Sequence, residues 1–486
     1  MKLKVKDVRL STGGPLIAIL SIADARKLDL HALDRVKIDS IVATVNVTEK
    51  AVKPGEIGLF EEVFRKTRIR SGQLVDVDAA ARPQSVYHIK KKLRGFRLSD
   101  KEIKEITNDI IRNNLSEIEL TYFVSACYTF GLDLTEVLAL TKAIAKSGKK
   151  LKLGKKLIVD KHSIGGVPGN RTSMLVVPIV AAAGLCIPKT SSRAITSASG
   201  TADSMEVLAP VSHSVKAVEE IVKKTNGCIV WGGALELASA DDALIKIEYP
   251  LELDPKGILL ASIMAKKVAA TSTHVLIDIP YGKTTKITFR KNANDLREKF
   301  ILLGKKLGIK TWVALTNGEL AIGRGIGPAL EARDIMWTLQ RDSRRPLDLE
   351  YKAIELTSIL FEMTGLKAGR KLAVDILNSG KAFEKMQEII KAQGGKIKTA
   401  DSIKLGKYVY DVKAKKDCAV RLDNTTITRV ARALGAPEDK GAGIYLHIKY
   451  GARAKRGEKI ATLYAESRKR LEYGVVMLKR LVVCSY

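Results

Sequence analysis

The sequence predicts an α/β protein with a helical module ahead of its sheet and a β-rich domain at each end. Three helix-initiating capping boxes fall between residues 99 and 136, apolar strands and helices alternate from 155 to about 390, and period-two patterns dominate both ends. A chain of 486 residues has room for about three domains at roughly 150 residues each.

Taken in order, residues 1–85 contain LKVKDVRL, PLIAIL, DRVKI, ATVNVTE and QLVDVDAA, punctuated by Gly13, Gly14, Pro54, Gly55 and Gly72. This is the pattern of an N-terminal β-rich domain. The basic segment HIKKKLRGFR, residues 88–97, reads as a solvated linker into a helical domain spanning 86–154. There, Ser99 with Glu102, Ser116 with Glu119, and Asp133 with Glu136 each let a short oxygen side chain cap a helix while a carboxylate reaches back. Ile103, Ile106 and Ile110 share one face, as a bundle requires. The α/β domain, 155–403, begins with a strand at 155–160, a glycine turn and an apolar helix at about 172–183. A strand at 186–190, a polar loop and a helix from Asp203 repeat the unit, and HVLIDIP and KTWVALT continue the alternation. Such alternation places a mostly parallel sheet between helices. From 404 to 486, YVYDV, GIYLHIKY and EKIATLYA restore β patterning, with turns at Gly441, Gly443 and Gly457.

Composition narrows the function. With 83 Lys and Arg against 53 Asp and Glu the net charge is +30, which favours anionic partners. The bases are interleaved with acids and aromatics make up only 5%, so a nucleic-acid surface is not expected. The longest apolar stretch, 174–188, is interrupted by Pro178 and falls short of the ~18 residues of a membrane span. The opening MKLKVKDVRL lacks the apolar core of a signal peptide, so a soluble, cytoplasmic protein is expected. Cys127, Cys186, Cys228, Cys418 and Cys484 lack the spacing of a metal site or a disulfide framework and read as small buried hydrophobes.

Three segments carry chemistry. DKHSIGGVPGNRTS, residues 160–173, sets Lys161, Ser163 and Ser173 around Gly165 and Gly166 at a strand-to-helix turn, where backbone N–H groups and the helix N-terminus favour an anion. It is no P-loop, because Asn170, Arg171 and Thr172 follow Gly169 in place of a Lys and a Ser or Thr. TSSRAITSASGTADSMEVL, 190–208, is a second donor-rich loop at the next strand end, with Arg193 able to face an anion or a base. In LELDPKGILLASIMAKK, 251–267, Asp254 and Pro255 open a helix that carries Ser262 and Lys266. GRGIGP, 323–328, lacks the spacing of a dinucleotide turn.

Together KHSIGGVPGN, SSRAITSASGTAD, LLASIMAKK, GRGIGPALEARD, GAGIYLHIKYG and LYAES resemble the thymidine phosphorylase family of nucleoside phosphorylases, and within it the archaeal AMP phosphorylase branch. The resemblance covers nearly the whole chain. It implies the class II nucleoside phosphorylase fold, which is like that of glycosyltransferase family 3, with a second helical segment at about 235–270 and the active site in the cleft between the helical and α/β domains. It also implies phosphate on Lys161, Ser163, Ser173, Ser191 and Thr201. The nucleotide would lie on Gly166, Ser192, Arg193, Ala194, Ile195, Thr196, Ser197, Thr201, Ser262, Lys266 and Lys286. Asp254 would be the proton donor and His162 an active-site histidine. Pyrimidine nucleoside phosphorylases carry an Arg about fifteen residues before the helix Ser; here that position is Ile247, which argues against thymidine.

The expected reaction is phosphorolysis of AMP, with CMP and UMP as further substrates, giving free base and ribose 1,5-bisphosphate without metal or cofactor. A homodimer or larger homo-oligomer is expected. Three rival readings are a pyrimidine-nucleoside phosphorylase, a magnesium-dependent anthranilate phosphoribosyltransferase and a non-enzymatic RNA-binding protein.

Overall fold

A computed structural model describes residues 1–194, 197–251, 253–396, 398–480 and 484–485. The chain divides into two compact units, residues 1–147 with 239–259, and residues 148–238 with 260–486.

The first unit opens with a closed six-stranded barrel. Its first strand, Lys2–Asp7, buries Leu3 and Val5 and exposes its lysines, because alternate side chains face opposite sides of a strand. The sequence reading missed the strand Glu56–Leu59, which pairs with Lys2–Asp7 in parallel and with Ile17–Ser21 in antiparallel fashion. Its continuous burial gives no alternation to detect. The segment expected to be a basic linker is instead the helix Ser85–Leu93. Most of its basic side chains have carboxylate partners: Lys91 pairs with Glu102 and Lys92 with Glu136, and His88 Nε2 lies 2.7 Å from Glu105. All three capping boxes form, on the helices Asp100–Ile111, Glu117–Phe130 and Leu134–Lys146.

In the second unit, Lys310–Asn317, His274–Tyr281 and Val159–Ser163 form a parallel sheet, and Ile187–Ser191 pairs in parallel with Gly227–Trp231. One parallel bridge, Ile158 to Cys186, joins the two sheets. The strand expected at 155–160 is shifted by several residues, so that Lys161, His162 and Ser163 lie in it, opposite Leu276, Ile277 and Asp278. The apolar helix Ser173–Ala182 is buried through nearly its whole length, as expected for an element covered on all sides. The C-terminal region is less purely β than its pattern predicts. Alongside an antiparallel sheet of Gly325–Ile326, Gly443–Leu446, Lys459–Ala465 and Tyr408–Lys413 it carries the helices Asn424–Ala433 and Arg468–Arg480. Cys127, Cys186 and Cys228 are buried thiols, as expected, but Cys418 is disulfide-bonded, against expectation. Among the described residues no helix is long and apolar enough to cross a membrane.

One buried ion pair organises the helical module. Lys92 and Glu136, both 3% exposed, meet at 2.8 Å, and Glu136 also accepts from the N–H groups of Leu98 and Asp133. Removing one member of such a pair leaves an uncompensated charge, at a cost of about 3–5 kcal/mol. Glu136→Ala should therefore lower hydrogen-exchange protection in Ser85–Leu93 and Leu134–Lys146 by about 100-fold or more. Unchanged protection would refute the assignment.

Candidate anion-binding active site

The candidate site gathers at the C-terminal ends of neighbouring parallel strands, where loops from adjacent strands share one edge. Lys161 is 1% exposed; its Nζ donates to Thr172 Oγ1 at 2.8 Å and lies 3.8 Å from Asp278 Oδ2. Burial lowers its pKa to about 8 despite the Asp278 charge. Asp278, fully buried, also pairs with Lys352 at 3.2 Å and accepts from Thr316 Oγ1 at 2.6 Å. Desolvation acts to raise its pKa, but the Lys352 and Lys161 charges and the hydroxyls of Thr316 and Ser163 prevail and hold it below the usual carboxylate range. Thr172 in turn donates to Asn170 Oδ1, and Asn170 Nδ2 donates to Ser163 Oγ. Lys161, Ser163 and the turn that follows them are thus held by one short network.

Beside it stands a residue that motif reading passed over. Lys189, 4% exposed, sits within the strand Ile187–Ser191, and its Nζ donates to the carbonyl of Thr190 at 2.8 Å. Burial, then the charge of Lys267, brings its pKa to about 7. Lys267 itself, 1% exposed, pairs with Asp160 at 2.7 Å. His162 feels desolvation first and then Lys267, Lys189, Lys266 and Lys161, which together push it well below the ordinary histidine range. Its imidazole is therefore neutral at pH 7. The available signal for Lys189 was a lysine directly after the apolar run 185–188, inside a buried strand, a position that a charge occupies only with a purpose.

Gly165 and Gly166 both adopt positive φ, +91° and +87°. At Gly166 a Cβ would lie 2.8 Å from the backbone nitrogen of Lys286, so glycine is required for that approach. Two residues expected to hold the nucleotide are thereby neighbours. Ser262 and Lys266 are brought together as well, with Lys266 Nζ donating to Ser262 Oγ at 3.3 Å. Ser173 opens the helix after the glycine turn, and Ser191 ends the next strand. The loop that follows folds back so closely that a Cβ on Gly200 would sit 2.7 Å from backbone atoms of Ser192, Arg193 and Ala194. Thr201 starts the short helix Thr201–Glu206, and Ser197 Oγ donates to the carbonyl of Ser199. Ile195 and Thr196 lie outside the described residues.

Arg193 is oriented differently from the expectation of a cation facing an anion. Its guanidinium forms two bonds to Glu206, at 2.6 and 2.7 Å, and one to Asp203, and lies 4.9 Å from the Trp231 ring. Hydrogen bonding to Glu206 raises the Arg193 pKa and lowers that of Glu206 to about 2. Asp254 belongs to the first unit, is solvent-exposed, and lies just before the helix Lys256–Ala269, with Pro255 also outside the helix.

Comparison with known proteins identifies relatives of the chain and of its domains. Residues 86–148 match the family described as the glycosyl transferase helical bundle domain, and 155–253 the glycosyl transferase a/b domain. Residues 419–485 match the pyrimidine nucleoside phosphorylase C-terminal domain. The AMP phosphorylases of Thermococcus sibiricus and Pyrococcus furiosus are each 46% identical, covering 99% of this chain and 97% of theirs. That of Methanocaldococcus jannaschii is 42% identical, with coverage of 99% and 96%. The anthranilate phosphoribosyltransferase of Thermus thermophilus shares the fold at 18% identity and a TM-score of 0.54, covering 63% of this chain and 99% of its own.

The lowered lysine pKa values give a pH test with a definite sign. Both amines are charged below their folded pKa values, about 7 and 8, and lose that charge as pH rises through them. Sulfate, whose own charge is constant here, should bind progressively more weakly from pH 6.5 to 9 by calorimetry. Lys189→Met should remove the lower part of that dependence, and a flat profile in the wild type would contradict the assignment. On full-length identity to these enzymes and on the fold they share, the chain belongs to the AMP phosphorylase family.

Proposed function

We propose that the protein phosphorolyses AMP, and by the same chemistry CMP and UMP, to the free base and ribose 1,5-bisphosphate. The observation that carries this reading is the cluster of buried lysines near the strand ends: among the described residues Lys161 and Lys267 meet the carboxylates of Asp278 and Asp160, Asp278 is shared with Lys352, and Lys189 donates to a backbone carbonyl. A desolvated surplus of positive charge is relieved by an anion. Inorganic phosphate is the one the reaction needs. The names of the full-length relatives support AMP as its partner.

Lys161, Ser163, Ser173, Ser191 and Thr201 hold the phosphate, joined by Lys189. A phosphate oxygen bonds to C1′ as the bond from C1′ to the base nitrogen breaks, with the electron pair leaving on the base. The sugar is cationic in that transition state, as in glycoside cleavage, and the attacking phosphate stabilises it. Asp254 donates a proton to the departing base, at N7 of adenine, which general acid catalysis makes worth ~10²-fold or more. His162 is neutral and positions phosphate and base. Gly166, Lys286, Ser262, Lys266 and the loop from Ser192 to Thr201 receive the nucleotide. Chemistry at these residues calls for no metal or cofactor, and the working form is a homodimer or larger assembly in the cytoplasm.

Incubation with AMP and phosphate should release adenine and ribose 1,5-bisphosphate; release from thymidine but not from AMP would overturn the substrate assignment. Asp254→Asn should lower kcat at least 100-fold with phosphate affinity little altered, and unchanged turnover would remove its role. Lys286→Ala should raise the KM for AMP about tenfold or more; an unaltered KM would dismiss it as a contact to the 5′-phosphate.

A further inference from the structure

The segment GRGIGPALEARD, residues 323–334, takes no part in the mechanism above, yet one of its side chains touches both donor loops. Glu331, 2% exposed, lies in the first turn of the helix Pro328–Leu339. A single carboxylate oxygen, Oε2, accepts from Arg171 Nε at 2.5 Å and from Ser204 Oγ at 2.9 Å, while Oε1 accepts from Gly327 N at 3.3 Å. Arg171 belongs to the glycine turn after Lys161. Its Nη2 crosses to the carbonyl of Ser199 at 2.5 Å, and its Nη1 reaches the carbonyl of Asn170. Ser204 Oγ shares a hydrogen bond with Ser199 Oγ at 2.8 Å and lies in the helix that starts at Thr201.

We propose that Glu331 is a positioning residue that sets the phosphate turn and the segment 197–204 at a fixed separation by holding Arg171 and Ser204 on one carboxylate oxygen. This deepens the proposed function and rests on that reading of the two loops. Asn170 and Thr172 flank Arg171 and bond Ser163 and Lys161, so displacement of Arg171 reaches the phosphate contacts through one further hydrogen bond. Ser199 and Ser204 bracket Gly200 and Thr201, so loss of the bridge reaches the second loop equally directly. The helix bearing Glu331 is itself anchored. Asp334, three residues on, accepts from the backbone N–H groups of Arg324 and Gly325, each at 2.7 Å. A buried carboxylate shared by an Arg and a hydroxyl holds two partners at a separation that neither could keep alone.

The test uses calorimetric titration of the full chain with inorganic phosphate and, separately, with AMP, so that binding is read without turnover. Glu331→Gln should weaken both ligands about tenfold or more. Weakening of neither, or of one alone, would overturn the bridge. Because Glu331→Gln leaves Arg171 buried without a counter-charge, the double variant Arg171→Met with Glu331→Gln separates position from stability. Its thermal midpoint should recover toward wild type while both affinities stay weak; recovery of affinity along with stability would reduce Glu331 to a structural residue and end the proposal. If Glu331→Gln does not fold, the double variant carries the same readout. Wild-type protein that binds phosphate and AMP but releases no adenine would count against the proposed reaction and leave the bridge to be judged on the two affinities.

Discussion

Placing lysines at the ends of buried parallel strands is the constraint to which the rest of the second unit answers. A charge in that position loses its water, and the protein restores only part of the loss through Asp160 and Asp278. What remains is a strong preference for an anion, already oriented before one arrives. Neighbouring features serve that preference. The neutral His162 adds no further repulsion, the glycine pair lets Lys286 approach, and Asn170 and Thr172 fix the directions of Ser163 and Lys161. These groups are set by strands and by a buried network, so on the proposed function bringing phosphate up to a sugar monophosphate requires little reorganisation.

The parts legible in the sequence were those with local physical signatures. Capping boxes announced three helices because each rests on residues three apart, and all three form. The glycine turn and the hydroxyl loop could be placed at strand ends because apolar runs bounded by turn residues have few alternatives. Illegible parts depended on partners distant in sequence. The cations of Ser85–Leu93 look like a solvated run until Glu102, Glu105 and Glu136 are folded against them. Lys189 and Asp278 are charged letters within buried strands, and their importance appears only when parallel pairing aligns the strands. Glu331 is 160 residues from Arg171 and 127 from Ser204.

The net charge of +30 explains little of this by itself. Most cations are exposed, and many are matched by nearby carboxylates, as Arg344 is by Asp342 and Arg65 by Glu61. Exposed pairs of that kind contribute at most about 1 kcal/mol each and are screened by salt. Their collective effect is on the approach of anions and not on where they bind.

The direction of a pKa shift separates cations that can hold a ligand from cations already engaged. Arg193, which the sequence allowed to face an anion or a base, has a raised pKa because Glu206 and Asp203 already satisfy it, and Lys440 shares the same carboxylates. To take a ligand it would have to give up bonds of equal quality. Lys161 and Lys189 are shifted the other way: burial has removed their water, and the protein has not fully replaced it. On the proposed function, the capacity to hold phosphate resides in the least satisfied lysines, while Arg193 stays engaged with Glu206 and Asp203.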